Sequence, residues 1–377
     1  MTPAARLQAV IDILGELDRT AKPADRLLRD WGRAHRFAGS KDRAAIAEQT
    51  FSILRRRSSL AWRMQDDSPR ALAIAAADDE SLFTGGYGPA PLSEDERARL
   101  AAPPRAAPDA VKGEYPAFLE DELRRAFGPR LLDEMAAMQT RAPVDLRVNT
   151  LKATRDAMLA RIGGAPTPRS PWGIRFPAGV TGLGPCAEFE LQDEAAQIAC
   201  LMSGAVPGMR VLDLAAGAGG KALAMAAMMK NEGEIAAHDI SAARLAQIGP
   251  RAARAGVTIV REGAPRGVYD LVFVDAPCSG TGTWRRQPEL RWRLTPQRLT
   301  QLRAIQDALL AQAAGHARRI VYATCSVLPC ENEDRIAAFL ESHRDFAVAG
   351  EIFRASPLST GTDGFFAAVL ARREPNG

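Results

Sequence analysis

The stretch that decides the fold is Asp275-Ala-Pro-Cys-Ser-Gly-Thr-Gly-Thr283, which follows the apolar run at residues 271–274. A second stretch of the same kind, Tyr322-Ala-Thr-Cys-Ser326, comes later in the chain. Each is a β-branched or aromatic run that stops at a cysteine, Cys278 or Cys325. In a doubly wound α/β sheet, ligands bind just beyond the carboxyl ends of the strands. Two cysteines placed there on two strands can face one substrate, one as a nucleophile and the other as a helper.

Composition favours a globular protein of two or three domains. The chain has 377 residues with 49 Lys and Arg against 45 Asp and Glu, so its formal charge of +4 permits nucleic-acid binding without requiring it. Five cysteines, an odd number in a long chain, favour reduced thiols and a cytoplasmic location. Four scattered histidines and no Cys-x-x-Cys pair make a metal site unexpected. Neither a signal peptide nor an apolar run of bilayer length is found, so we expect no membrane contact.

Residues 1–100 have the apolar spacing of α-helices and are expected to form a helical domain. A basic stretch at residues 31–57 has two interpretations, a solvated helical face or an RNA-binding helical module. Glycines and prolines at residues 84–112 indicate a domain boundary.

Residues 113–205 mix helix and strand signals and are expected to form an α+β module before the catalytic domain. Alternating apolar residues predict a strand within residues 143–152. Arg147, Asn149 and Lys152 would share its other face, where they could meet phosphate or form an ordinary exposed surface.

From residue 206 to residue 377 strand and helix signals alternate, which predicts a parallel, Rossmann-like sheet. We expect seven strands, the third of them at residues 257–260. The first strand ends in a glycine-rich turn, residues 215–221, and the second ends at Asp239. The turn lets a ligand approach the backbone, and Asp239 can accept hydrogen bonds from ribose hydroxyls or cap the next helix. NAD and S-adenosylmethionine are both compatible with this pattern.

An arginine-rich segment, Thr283-Trp-Arg-Arg-Gln-Pro-Glu-Leu-Arg-Trp-Arg293, directly follows the first cysteine motif. Arginine meets phosphate, and indole or guanidinium planes stack on unpaired bases, so the segment favours RNA contact. The alternative is a loop whose tryptophans pack inward.

Two thiols suit one reaction in particular. Carbon 5 of cytosine is a poor nucleophile, but a thiolate that adds to carbon 6 makes carbon 5 reactive towards a methyl donor. A second thiol could assist release of the adduct. Buried packing, a common fate of cysteine, is the alternative for both Cys278 and Cys325.

The chain resembles the Nop/Sun (RsmB-like) family of S-adenosylmethionine-dependent RNA 5-methylcytosine methyltransferases over residues 115–371. The motifs that carry the resemblance are Asp213 with Gly219-Gly220-Lys221, Asp275-Ala-Pro-Cys-Ser-Gly-Thr-Gly, Tyr322-Ala-Thr-Cys-Ser, Glu331-Asn-Glu333, Asp363-Gly-Phe-Phe, Arg147-Val-Asn-Thr-Leu-Lys152 and Gln192-Asp-Glu-Ala-Ala-Gln197. The helical start is similar to the family's NusB-like RNA-binding domain.

The resemblance implies a class I methyltransferase domain and a role for each matching residue. Cys325 would attack carbon 6, and Cys278 would promote product release. Asp275 would lie between cofactor and target base. The family's acid after the third strand is missing here unless Glu262 replaces it. The residues expected to bind S-adenosylmethionine are Ala215, Ala216, Gly217, Ala218, Gly219, Gly220, Lys221, Asp239 and Asp275.

The expected partner is RNA, with 16S ribosomal RNA as substrate and a monomer as the acting form. Transfer RNA is the alternative substrate, and a non-catalytic ribosome assembly factor is the alternative function. A NAD-linked oxidoreductase has little support, because no hydride-transfer constellation accompanies the glycine turn.

Overall fold

A computed structural model of the protein describes residues 1–77 and 79–373. Residue 78 of the predicted helical domain and residues 374–377 of the predicted methyltransferase domain lie outside the described residues. The described chain forms two compact units, a helical unit made of Met1–Thr140 with Trp284–Leu294 and a sheet unit made of Arg141–Thr283 with the chain from Thr295 onward.

The described chain contains α-helices and β-strands, with short 3₁₀ turns between some of them. In chain order the helices are α1 Pro3–Arg19, α2 Ala24–Ala34, α3 Ser40–Arg55, α4 Arg57–Met64, α5 Pro69–Ala77, α6 Glu94–Ala101, α7 Asp109–Lys112, α8 Glu120–Phe127, α9 Leu131–Gln139, α10 Arg155–Ile162, α11 Glu194–Met202, α12 Gly220–Met228, α13 Ala242–Leu245, α14 Ile248–Ala255, α15 Glu289–Arg293, α16 Pro296–Ala314, α17 Glu333–Ser342 and α18 Pro357–Thr360. The strands are β1 Val144–Val148, β2 Ala165–Pro166, β3 Gly173–Phe176, β4 Phe189–Leu191, β5 Arg210–Asp213, β6 Glu234–Ala237, β7 Val260–Glu262, β8 Leu271–Asp275, β9 Arg319–Thr324, β10 Phe346–Val348, β11 Phe353–Ala355 and β12 Phe365–Arg372.

The helical unit is organised around α1. The Thr2 hydroxyl accepts a hydrogen bond from the Ala5 amide at 3.2 Å, and Pro3 opens the first turn, so the helix begins with both an N-cap and a preset φ. Its buried side chains follow three- and four-residue spacing, as in Leu7, Val10, Leu14 and Leu17. The helices continue beyond residue 100 as far as Gln139. Within the described residues, every helix is too short or too polar to cross a membrane.

A small antiparallel sheet opens the sheet unit, with strand order β2-β3-β1-β4. Its central strand β1 lies within the predicted residues 143–152 and pairs antiparallel with both β3 and β4. The face of β1 opposite its apolar residues is buried too, since Arg147 is 3% exposed and Asn149, directly after the strand, is 5% exposed. The idea that these two residues meet phosphate is therefore wrong. Arg147 approaches the Gly220 carbonyl at 3.5 Å, and the Asn149 amide donates to the Ala187 and Ala255 carbonyls.

The large sheet has the strand order β7-β6-β5-β8-β9-β12-β10, and an eighth strand, β11, pairs with β12. Strands β5 to β9 are parallel, whereas β12 runs antiparallel to β9. Alternate residues of β8 enter separate buried clusters, with Phe273 on one face and Val272 and Val274 on the other. The sheet is thus covered on both faces, as expected for a Rossmann-like domain. It contains one strand more than the seven predicted.

The third parallel strand lies later than predicted, at Val260–Glu262 rather than residues 257–260. Gly256 ends α14 in the left-handed region, with a φ of 72°. The Val257 amide then donates to the Ala252 carbonyl at 2.9 Å. The apolar residues at the start of the predicted strand therefore belong to the helix end and its packing.

Candidate active site

Two loops from neighbouring strands bring Cys278 and Cys325 together. Strands β8 and β9 are parallel, and Asp275 stands opposite Ala323 in their register. The loops that follow leave the Cys278 and Cys325 Sγ atoms 3.4 Å apart, and both side chains are half-buried. The structure therefore joins the two sulfurs that the sequence singled out, while their catalytic roles stay predictions.

The surroundings of Cys278 favour its protonated form. The hydrogen bond that the Cys278 thiol shares with Cys325, then burial and the nearby Glu331 carboxylate, raise the pKa of Cys278 well above its ordinary range. Cys278 therefore keeps its proton at neutral pH. A sulfur that holds its proton suits a helper better than a nucleophile, because the thiolate is the reactive form of cysteine.

Backbone and side-chain hydrogen bonds fix the two cysteine loops against each other. The Gly282 amide donates to the Cys325 carbonyl at 2.9 Å, and the Val327 amide donates to the Thr281 hydroxyl oxygen at 3.0 Å. Asn332 holds the end of β9, accepting from the Thr324 hydroxyl at 2.6 Å and donating to the Ser326 carbonyl at 3.0 Å. The two loops are thus hydrogen-bonded to each other at the ends of buried strands, the arrangement that precise positioning of reactive groups requires.

The glycine turn, residues 215–221, connects β5 to α12. Gly217 and Gly219 have φ values of 55° and 82°, a region that strongly favours glycine, so the turn depends on these two residues. Asp239 follows β6, and its carboxylate accepts from the Gly217 amide and the Ser241 amide, both at 2.8 Å. Asp239 therefore holds the turn and binds the amide of Ser241, whereas Ser241 itself is the N-cap of α13, so the alternative that Asp239 caps this helix is wrong. Its contact with a ribose stays a prediction.

Three charged residues meet where the glycine turn approaches β8. The Lys221 ammonium pairs with the Asp275 carboxylate. Burial alone would lower the pKa of Lys221, but Asp275 outweighs it and the pKa is raised. Burial, followed by the charge of Asp275, raises the pKa of the nearby Asp213 carboxyl to about 7. Strong perturbation of several groups in one place is typical of functional sites.

Glu262 is the last residue of β7, and it stands opposite Ala237 at the end of β6. Its side chain is exposed. It therefore lies at the carboxyl edge of the sheet, on the strand next to the one that leads to Asp239. This location is compatible with the acid that the family resemblance calls for, and the substitution stays a prediction.

The arginine-rich segment after the first cysteine motif belongs to the helical unit and is largely buried. Trp284 and Arg291 are both 0% exposed. The Trp292 indole donates to the Leu54 carbonyl at 2.7 Å, and Arg293 donates to the carbonyl groups of Leu17, Thr20 and Lys22 at 3.1, 3.1 and 2.9 Å. The predicted RNA contact of this segment is wrong for these buried residues. Arg293 here satisfies carbonyl groups in the last turn of α1 and just after it. In composition alone, the segment resembles an exposed basic loop.

The sequence analysis did not identify one candidate functional residue. Glu331 appeared only as part of a motif, and no role was assigned to it. The structure buries its side chain completely between the two cysteine loops. A glutamate after a strand gives no signal of burial by itself, so only its position close behind Cys325 could have suggested it.

Comparison with known proteins adds family information. A family model described as 16S rRNA methyltransferase RsmB/F matches residues 204–371, and a second, described as the Methyltr_RsmF/B-like ferredoxin-like domain, matches residues 115–177. Both matches lie within residues 115–371, where the resemblance was seen, and they confirm it.

Individual relatives agree with the family models. A probable ribosomal RNA small subunit methyltransferase B of Synechocystis sp. is 32% identical over 62% of this chain and 57% of its own length. Ribosomal RNA small subunit methyltransferase B of Photorhabdus laumondii is 30% identical over 69% of this chain and 66% of its own length. The chain thus spans less than two thirds of the length of either relative. Among solved structures, PH0851 covers 99% of both chains with a TM-score of 0.79 at 24% identity, which shows a shared fold.

Proposed function

Since the chain belongs to the RsmB/F family of 16S rRNA methyltransferases, we propose that it methylates carbon 5 of a cytosine in RNA and that small-subunit ribosomal RNA is its substrate. The observation that carries the proposal is the 3.4 Å separation of the Cys278 and Cys325 sulfurs at the carboxyl ends of β8 and β9. A single reactive cysteine would not need a second one at its side.

In the proposed reaction the Cys325 thiolate adds to carbon 6 of the cytosine, and the electron pair of the carbon 5–carbon 6 double bond moves to carbon 5. Carbon 5 is then the nucleophile that takes the methyl group, and the bond between that group and its donor would break with the electron pair left on the donor. The proton on carbon 5 leaves to water, its bonding pair restores the double bond, and the bond between carbon 6 and sulfur breaks. These steps return Cys325 as a thiolate and leave 5-methylcytosine.

Cys278 assists the last of these steps. Its sulfur lies 3.4 Å from that of Cys325, and its pKa is raised, so it carries a proton beside the departing thiolate. A hydrogen bond from this thiol stabilises the negative sulfur as the bond to carbon 6 breaks. Loss of Cys278 should therefore leave the protein attached to its RNA.

S-adenosylmethionine, when bound, supplies the electrophilic methyl group. The glycine turn suits such a donor, because the left-handed Gly217 and Gly219 lead the chain into the start of α12, where backbone N–H groups favour the donor's carboxylate. Asp239 and Glu262, at the ends of β6 and β7, offer carboxylate oxygens for ribose hydroxyls. Asp275, paired with Lys221, would accept from the amino edge of the cytosine.

A cytosine within a duplex would have to leave its stack to reach the two sulfurs. The test is transfer of labelled methyl groups to purified 16S ribosomal RNA, to small ribosomal subunits and to transfer RNA, followed by bisulfite sequencing. The proposal expects label at one or a few cytosines of the 16S molecule, and none with the Cys325→Ala variant. Label in transfer RNA alone would correct the substrate, and no label in any RNA would favour a non-catalytic assembly factor.

A further inference from the structure

Glu331 is a buried carboxylate that takes no part in the proposed reaction. It lies in the 3₁₀ turn Pro329–Glu331, between β9 and α17, and its side chain is 0% exposed. Taking a carboxylate out of water is strongly unfavourable unless hydrogen-bond donors replace its hydration. The side chain therefore needs a set of donors, and their identity is informative.

The donors come from both cysteine loops. Glu331 Oε1 accepts from the Ser279 amide at 2.9 Å, and Oε2 accepts from the Ser279 hydroxyl at 2.5 Å. The Ser326 hydroxyl also donates to Oε2 at 2.5 Å. Ser279 directly follows Cys278, and Ser326 directly follows Cys325. One carboxylate thus binds the residue next to each sulfur.

A fourth donor extends this set to the other side of Cys278. The Gln306 amide donates to Glu331 Oε1 at 3.0 Å and to the Pro277 carbonyl at 2.9 Å. Pro277 directly precedes Cys278. Hydrogen bonds therefore hold the loop of Cys278 on both sides of that residue. The bonds from the two serine hydroxyls to the Glu331 carboxylate have the length that is typical of charge-assisted hydrogen bonds.

From this arrangement we propose that Glu331 is a positioning residue that fixes the separation of the Cys278 and Cys325 sulfurs by binding both of their loops. Its importance for catalysis rests on the proposed function, whereas its effect on the sulfur separation does not. Glu331 touches neither sulfur in a hydrogen bond, so it acts through Ser279 and Ser326. The position needs a carboxylate, because Ser279, Ser326 and Gln306 all donate hydrogen bonds to it. A glutamine side chain would instead place N–H groups against serine hydroxyls that already donate.

The test is the rate at which diamide joins Cys278 to Cys325, followed by mass spectrometry of the linked peptides. In this reaction the two thiols lose two protons and two electrons, a sulfur–sulfur bond forms, and the diazene is reduced to a hydrazine. The sulfurs must close from 3.4 Å to about 2.05 Å, so the rate reports their positioning. Neither RNA nor a methyl donor takes part.

We expect Glu331→Gln, which keeps the size of the side chain, to slow this cross-link at least tenfold. The matched control is Glu333→Gln, because Glu333 pairs at the surface with Arg354 at 2.5 Å and should cross-link within twofold of the unaltered protein. If Glu331→Gln does not fold, Ser326→Ala removes one donor only, and the proposal expects about a threefold slower cross-link. A folded Glu331→Gln, or a folded Ser326→Ala, that cross-links at the unaltered rate overturns the proposal.

Steady-state kinetics distinguish a positioning role of Glu331 from a general disruption of the folded protein. In labelled-methyl assays we expect Glu331→Gln to lower kcat at least tenfold while KM for RNA and for S-adenosylmethionine stays within twofold. A rise in KM with unchanged kcat would contradict a positioning role. If the unaltered protein transfers no methyl group, the proposed function fails, and the diamide rates still decide whether Glu331 sets the sulfur separation.

Discussion

The Lys221 ammonium and the Asp275 carboxylate form an ion pair that joins the glycine turn to the end of β8. The two side chains are unequally buried, since Lys221 is 14% exposed and Asp275 is 33% exposed. The pair therefore connects the proposed donor site with the strand that carries Cys278, and it offsets the cost of burying the ammonium.

The difference in exposure predicts which of the two substitutions lowers the free energy of unfolding more. Asp275→Asn leaves a largely buried ammonium unpaired and should cost about 2–4 kcal/mol in the free energy of unfolding. Lys221→Met leaves a carboxylate that water reaches and should cost at least about 1 kcal/mol less. Urea unfolding of the two variants measures the difference. Equal losses, or a larger loss for Lys221→Met, would contradict this account of the pair.

Asp213 gives a prediction about pH. Its folded pKa of about 7 lies above the ordinary aspartate value of about 3.9, so between these values the folded protein binds more protons than the unfolded one. Asp213 therefore stabilises the fold least above pH 7, and stability is lost as the pH rises through that range. Asp213→Asn, which stays neutral, should be more stable than the unaltered protein at pH 8 and similar to it at pH 4. Urea unfolding at several pH values tests this, and a difference independent of pH would refute it.

Arg293 distinguishes packing from RNA contact. Because its guanidinium donates to the carbonyl groups of Leu17, Thr20 and Lys22, Arg293→Met should lower the stability of the helical unit by about 1.5–3 kcal/mol. The salt dependence of RNA affinity should stay unchanged, because no phosphate contact is lost. Arg298→Met, at an exposed position near the start of α16, is the control and should leave stability intact. A shallower salt dependence with unchanged stability would restore the RNA interpretation.

Glu262 is the proposed acid for the donor's ribose. Since its side chain is exposed at the end of β7, Glu262→Gln should leave thermal unfolding unchanged. Loss of a charged hydrogen bond should weaken S-adenosylmethionine binding about tenfold in calorimetry. Glu234→Gln, at the opposite end of the neighbouring strand β6, should bind the donor normally. Unchanged affinity in Glu262→Gln would mean that the chain holds the ribose without this acid.

The sequence predicted the parts of the fold that local patterns determine. Strands β5, β6, β8 and β9 each contain adjacent apolar residues, because both faces of the sheet are covered, and such residues are visible without any tertiary information. The glycine turn was visible because Gly217 and Gly219 must adopt positive φ values. The end-of-strand positions of Cys278 and Cys325 followed from these runs.

Long-range contacts account for what the sequence did not predict. Arg291 and Arg293 look like solvent-facing cations until their partners in the helical unit are known. Arg147 alternates with apolar residues as an exposed strand residue would, yet it is buried. Glu331 becomes informative only when Ser279, from a loop 52 residues earlier, is placed beside it. In each case the partner is distant in sequence and leaves no periodic signal.

The central claim is that Cys325 attacks the cytosine and that Cys278 releases the product. It is tested most directly with RNA that contains 5-fluorocytosine, because fluorine at carbon 5 cannot leave as a proton and the protein stays attached. Denaturing electrophoresis should reveal a protein–RNA adduct with the unaltered chain and none with Cys325→Ala, while Cys278→Ala should accumulate an adduct even with unmodified RNA. An adduct that persists in Cys325→Ala and disappears in Cys278→Ala would reverse the two roles and contradict the account.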